Sequence, residues 1–129
     1  MTLMTIRLEL ARDEDFPMGS AQRGYEFVAP LDAESHIDVE AWRKSKGQCR
    51  VWRFWQGEPD EFGHLRHTRG GAWTFHYDVE GDPDDDEPGF RFDSHAFKEG
   101  EYVSIREHDG RMRTFKVIIV RPCAPARVG

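Results

Sequence analysis

Cysteine is scarce in this chain: Cys49 and Cys123 are the only two. They lack the paired spacing of a metal knuckle, and two cysteines do not build a disulfide framework. They read as reduced thiols of a cytoplasmic protein; a bridge between them would need neighbouring strands. Long apolar runs are missing too. No stretch approaches the ~20 residues of a membrane-spanning helix. Residues 1–9 have neither the basic flank nor the apolar length of a signal peptide, so no membrane partner is expected. Also absent are GxSxG, a phosphate-binding glycine loop, HExxH, and GxGxxG opening a helix. Neither cysteine has an obvious base beside it. These gaps disfavour a nucleophilic enzyme and leave a small acid/base enzyme open.

A basic excess is lacking as well. The formal net charge is −6, but it is unevenly spread. Residues 80–88 hold six acids and no base; 24 acids less those six leaves 18, equal to the 18 bases. The body is balanced and the negative charge belongs to one segment. Nothing supplies the positive excess that non-specific duplex binding needs, which disfavours nucleic acid as a partner.

What is present points to a packed β domain. The chain has 129 residues, enough for one core. Apolar residues are only 38%, yet aromatics reach 12%, and disordered chains are poor in rings. Met4, Ile6, Leu8 and Leu10 alternate with Thr5, Arg7 and Glu9, the pattern of a half-buried strand. Residues 11–24 read as a loop, and 25–29 as a strand stopped by Pro30. Residues 32–46 hold the only plausible helix. Asp38 is its cap, Val39, Trp42 and Arg43 lie one turn apart, and Gly47 is its end. A strand apolar on both faces follows at 49–55, then a turn at 57–60.

Residues 63–78 form a hairpin around Gly70-Gly71, and 80–88 a mobile acidic loop. A short strand is expected at 90–93 and a last hairpin at 101–108 and 111–121, with a flexible tail at 122–129. About eight short strands with one short helix predict a single all-β (β-dominated) domain over 1–121, an antiparallel barrel or sandwich. Phe27, Trp52, Trp73, Phe75, Phe92 and Phe115 are its expected aromatic core. An eight-stranded barrel is just wide enough for packed side chains or one small ligand.

Hydrophobic pattern sets hairpin register. A three-residue loop at 108–110, with Gly110 left-handed, puts Val103 opposite Phe115 and gathers Ile105, Val117 and Ile119 on one face. A three-residue loop Arg69-Gly70-Gly71 pairs Leu65 with Phe75 and His67 with Trp73. It also sets His64 across from His76, with Arg66, Thr74 and Asp78 on that face.

Three candidate sites follow. The first is His64, Arg66, His76 and Asp78. Cross-strand Cβ atoms lie about 4.5–5.5 Å apart, so two imidazoles beside a carboxylate can ligate zinc or share a proton. The opposing reading is a solvated outer face. The second is the acidic loop. Asp82, Asp84, Asp86 and Asp93 take positions one, three, five and twelve of a calcium loop, but Glu87 stands where glycine is needed. The third is Arg43, Lys44 and Lys46 with Arg50, Trp52 and Arg53, where bases interleaved with rings suit single-stranded nucleic acid. A basic helix end before a core strand explains the same residues.

The first expectation is therefore a non-enzymatic binding module for a small ligand or protein partner. The second is a metal-dependent or acid/base enzyme on the 63–78 hairpin. The third is single-stranded nucleic-acid binding through 42–55. No cofactor is expected beyond a metal ion in the second case. Nothing in the pattern specifies an oligomeric state.

Overall fold

A computed structural model of the chain describes residues 2–77, 87–89, 96–107 and 109–123. Its strands follow chain order: β1 (Leu3–Leu10), β2 (Ser20–Pro30), β3 (Arg50–Trp55), β4 (Glu61–His67), β5 (Trp73–Tyr77), β6 (Glu87–Gly89), β7 (Tyr102–Arg106) and β8 (Met112–Pro122). Each pairs antiparallel with the next, and β8 pairs back onto β1, so the sheet curls into a barrel. The narrow stave is β6, which meets β5 through three residue pairs and β7 through one, Gly89 with Ile105.

Alternation builds the inside. Ile6, Leu8 and Leu10 of β1 are buried, as are Tyr25, Phe27 and Ala29 of β2. Rings fill the centre. Tyr25 lies 5.0 Å from Phe75 and 5.2 Å from Phe115, and Phe27 lies 5.4 Å from Phe75 and 5.5 Å from Phe97. Such separations suit tilted and edge-on aromatic pairs. The interior is thus occupied by side chains, one of the two outcomes open to a barrel of this size. Of the expected core rings, Phe27, Trp73, Phe75 and Phe115 are buried; Trp52 is only half-buried, on the outer face. Phe92 lies outside the described residues.

The helix α1 (Val39–Lys44) closes one end. Asp38 caps it by accepting a hydrogen bond from the Ala41 N–H at 2.9 Å. Trp42 is its buried residue; its indole N–H donates to the Leu65 carbonyl at 3.0 Å and its ring meets Trp73 edge-on at 5.2 Å. The helix stops earlier than the glycine suggests. The Ser45 N–H donates to the Trp42 carbonyl and its hydroxyl to the Ala41 carbonyl, and Gly47 falls inside a 3₁₀ turn, Lys46–Gln48.

Both predicted registers are borne out. His64 faces His76, Leu65 faces Phe75 and His67 faces Trp73. The Thr68 N–H donates to the Ala72 carbonyl at 2.8 Å, and Gly71 takes φ +82, the left-handed position that a three-residue loop requires. Val103 faces Phe115, and Gly110 takes φ +83.

Other boundaries shift. β2 begins at Ser20, so the first loop is 11–19. Gly24 allows this: a Cβ there would lie 2.0 Å from the Leu8 carbonyl oxygen, so the backbones touch where a side chain would part them. A bulge between Arg7 and Leu8 pairs Leu8 with Val117 but Arg7 with Ile119 and Ile6 with Val120. Ile119 therefore leaves the inner face, and Val120 packs on the core. Pro122 ends β8 and the Cys123 N–H donates to the Leu3 carbonyl at 2.8 Å, which joins both to the sheet rather than to a tail. Glu87 and Pro88, assigned to the acidic loop, pair as β6 with Phe75 and Thr74. The predicted strand at 90–93 and residues 124–129 lie outside the described residues.

Candidate functional site

Strand alternation sends Arg50, Trp52 and Phe54 of β3, Phe62, His64 and Arg66 of β4, and Thr74 and His76 of β5 to the outside of the barrel. Register then aligns them into rows. Arg50 stands beside His64, and His64 beside His76. One step toward Lys46 from the His64–His76 row, Arg66 stands beside Thr74; one step the other way, Trp52 stands beside Phe62. These eight outward positions hold two arginines, two histidines and three rings, and no carboxylate.

The rings form a continuous strip. Trp52 and Phe62 are stacked, 7° between planes with centroids 6.5 Å apart, and Trp52 meets Phe54 at 5.0 Å. The Arg7 guanidinium covers the far face of the strip, 4.3 Å over the Phe54 ring. The near end is open: Phe62 is 52% exposed, one of few large apolar side chains left in solvent.

Each histidine touches an arginine. Arg50 Nη1 donates to His64 Nε2 at 3.1 Å, and Arg66 Nη1 donates to His76 Nδ1 at 3.1 Å. A guanidinium has no acceptor, so each imidazole nitrogen must present its lone pair to the arginine. That lone pair is what a metal would bind, and two guanidinium charges repel a cation. Among the described residues no three His, Cys, Asp or Glu side chains converge as a metal site. Asp78, the expected carboxylate of this group, lies outside the described residues, as do Asp82, Asp84, Asp86 and Asp93. The register sets His64 beside His76, and each imidazole also touches an arginine.

The basic candidates separate. Arg43 is paired with Glu40 at 2.6 Å on the exposed side of α1, Lys44 is exposed, and the Lys46 ammonium sits 4.8 Å over the Trp42 ring. Arg50 and Trp52 belong to the outer face. Arg53 does not: it points into the barrel with 5% of its side chain exposed and donates to Glu107 Oε1 at 2.9 Å. Its neighbour register with Tyr25, inward on β2, forces that direction. The pattern missed Phe62 because the hairpin was begun at Gly63; two residues before His64 on a strand is the same face.

The other end of the barrel is charged. The Tyr25 hydroxyl donates to Glu107 Oε2, and Arg53 also reaches Glu58 at 3.1 Å and Glu61 at 3.7 Å. Arg113 bonds Asp13 at 2.8 Å and Asp15 at 3.0 Å, tying the 11–19 loop to β8. Burial alone pushes the Asp13 carboxyl up. The Asp15 N–H, the hydrogen bond and charge of Arg113, and the charge of Arg111 outweigh burial and hold it below its ordinary value. The cavity among Arg53, Trp55, Glu58, Glu107, Asp109 and Arg113 is about 150 Å³, below the ~300 Å³ where ligand pockets begin. A larger groove of about 730 Å³ runs outside β1 and β8; its lining mixes Glu9, Arg12 and Lys116 with Leu10, Met18 and Tyr102. No helix among the described residues is long and apolar enough to cross a membrane.

No family model matches the chain, and neither a curated protein nor a solved structure matches it.

Proposed function

We propose that this protein is a binding module, not a catalyst, and that its ligand lies on the outer face of β3–β5 rather than inside the barrel. One observation carries the reading: a stacked Trp52–Phe62 pair next to a row of Arg50, His64 and His76. Among the described residues the centre of the barrel is packed with its own rings, which favours the outside for a ligand. The chemistry of the face selects a ligand with a planar part and an anionic part. Rings take the first by stacking, and guanidinium groups the second by charge-assisted hydrogen bonds. A hydrolytic or metal-dependent role for His64 and His76 is not favoured, because Arg50 and Arg66 occupy the nitrogens it would use.

The test uses pyrene-1,3,6,8-tetrasulfonate, a planar polyanion. Titrated into the ¹⁵N-labelled chain, it is expected to shift amide signals of β3–β5. Phe62→Ala and the double variant Arg50→Ala/Arg66→Ala should each weaken it several-fold. Shifts confined to the groove beside Met18 and Tyr102, or to the charged end around Arg53, would overturn the assignment.

A further inference from the structure

Beyond the β3–β5 face, we propose a second binding site: the groove outside β1 and β8 takes a fatty carboxylate, a single apolar chain with one anionic head. This site stands apart from the first. The barrel closes through its strands in chain order, so β8 lies four staves from β4 in either direction and the two surfaces face opposite ways. The groove, at about 730 Å³, falls within the ~300–1,000 Å³ of ligand sites, whereas the cavity near Arg53, at about 150 Å³, does not.

Strand alternation lays the floor. On β8, Arg113, Phe115 and Val117 are buried, which turns Thr114, Lys116 and Ile118 outward. Register sets Lys116 between Tyr102 of β7 and Glu9 of β1. A break in β2 makes one wall: Glu9 pairs with Gly24 but Leu10 with Ser20, so residues 21–23 have no partner on β1 and the ladder opens there. Gly19 seats the loop against β1. It takes φ +71, and a Cβ on it would lie 2.7 Å from the Leu10 carbonyl oxygen. Beside it, Met18 stands 89% exposed. Four large apolar side chains are exposed among the described residues, and two of them, Met18 and Tyr102, line this groove.

The lining selects the ligand. Ile118, Tyr102 and Met18 offer apolar surface, and a thioether adapts to a chain of no fixed shape. The methylene stem of Lys116 adds to that surface while its ammonium stays in water. The charged side chains are Arg12, Lys116 and Glu9, two cations against one acid. Glu9 is already held by Arg7, whose Nε donates to it at 2.8 Å, whereas Arg12 and Lys116 make no ion pair among the described residues. A surplus of one positive charge suits a monoanion, and Glu9 repels a polyanion. An extended peptide is disfavoured, because β8 is paired on both sides and offers no edge for a further strand.

Titration of sodium dodecanoate, kept below its micelle concentration, into the ¹⁵N-labelled full chain tests this by NMR. Amide shifts are expected across residues 9–12, 18–21 and 114–118. The double variant Arg12→Gln/Lys116→Gln should weaken binding about tenfold, and dodecanol, the same chain without the charge, should bind the wild type more weakly by about the same factor. Met18→Gln should weaken dodecanoate several-fold. All three side chains are exposed, so the variants should keep the wild-type urea midpoint. Saturating pyrenetetrasulfonate should leave dodecanoate affinity unchanged, and dodecanoate should bind even if the polyanion fails at β3–β5, so each site stands or falls alone. Dodecanol binding as tightly as dodecanoate, wild-type affinity in the variants, or shifts confined to β3–β5 would overturn the proposal. So would binding to phosphatidylglycerol vesicles with none to monomeric dodecanoate, which would make the groove a membrane contact.

Discussion

Arg53 shows how a single position divides two explanations. In sequence it sits among Arg50, Trp52 and Phe54 and shares their basic–aromatic look. In the barrel it is enclosed, with Glu107 at 2.9 Å and 3% of the Glu107 side chain exposed. Two ions taken out of water hold only if each keeps its partner; removing one strands the other at a loss of about 3–5 kcal/mol. Arg53→Met is expected to lose that much in urea unfolding, and Arg53→Met/Glu107→Leu to recover most of it. A single variant within about 1 kcal/mol of wild type would mean the pair is not holding the barrel end. The pair was legible in principle. Val103, Ile105 and Glu107 alternate inward, as do Val51 and Arg53, so two opposite charges fall on the inner face. Reading Arg53 by its neighbours in sequence, rather than by its parity on the strand, concealed it. Cys49 is the simpler case: burial pushes its thiol up, and it stays protonated and inert inside the core.

At the scale of elements, the β4–β5 hairpin was the most readable part. Its apolar residues fit only one register, and Gly70-Gly71 marks the turn. What the pattern does not encode is how closely the strands approach. A Cβ on Gly63 would lie 2.0 Å from the His76 carbonyl oxygen and 2.7 Å from the Tyr77 Cα. The nearest atoms are all backbone, which cannot yield as the end of a side chain can. Gly63→Ala is expected to destabilise by about 1–3 kcal/mol in urea unfolding, since inserted volume forces the strands apart. It should also weaken binding of the planar polyanion to β3–β5, because His64 is the next residue. Unchanged stability would show that the two strands tolerate separation. The bulge in β8 was illegible for a related reason. Ile118, Ile119 and Val120 are alike in hydrophobicity, so nothing in the pattern marks which one is skipped. Helix α1 was found from its Asp38 cap and Trp42, but Ser45 ends it through two backbone-directed hydrogen bonds that composition does not reveal.

Across the whole molecule, charge is sorted by direction rather than by quantity. The even balance of acids and bases in the body averages an acid-rich barrel end with outward positions of β3–β5 that, among the described residues, hold no acid. The end has its own pH dependence. Asp13 is held below its ordinary value of 3.8 in the folded chain, so the stability it contributes is fully present above that value and is lost as pH falls through the lower, folded one. Between pH 5 and 2, Asp13→Asn should show a flatter decline in stability than wild type, measured by urea midpoints at each pH. Parallel declines would remove Asp13 from the account. The 11–19 loop should loosen in the same range, since Arg113 then loses one of its two short carboxylate partners.

The pairing of β8 with β1 has a consequence in time. Ile6 meets Val120 across nearly the whole chain, whereas every other neighbour on the sheet is also a neighbour in sequence order. Hairpins can form locally and early, but the closing pair must wait until both ends of the sheet have been brought round, and the entropy of that search is spent before any contact offsets it. Refolding in milliseconds to seconds is the rate expected of such non-local sheets. In stopped-flow mixing, weakening the β1–β8 seam with Val120→Ala should speed unfolding far more than it slows refolding; a refolding rate that drops in step with stability would mean the seam forms first.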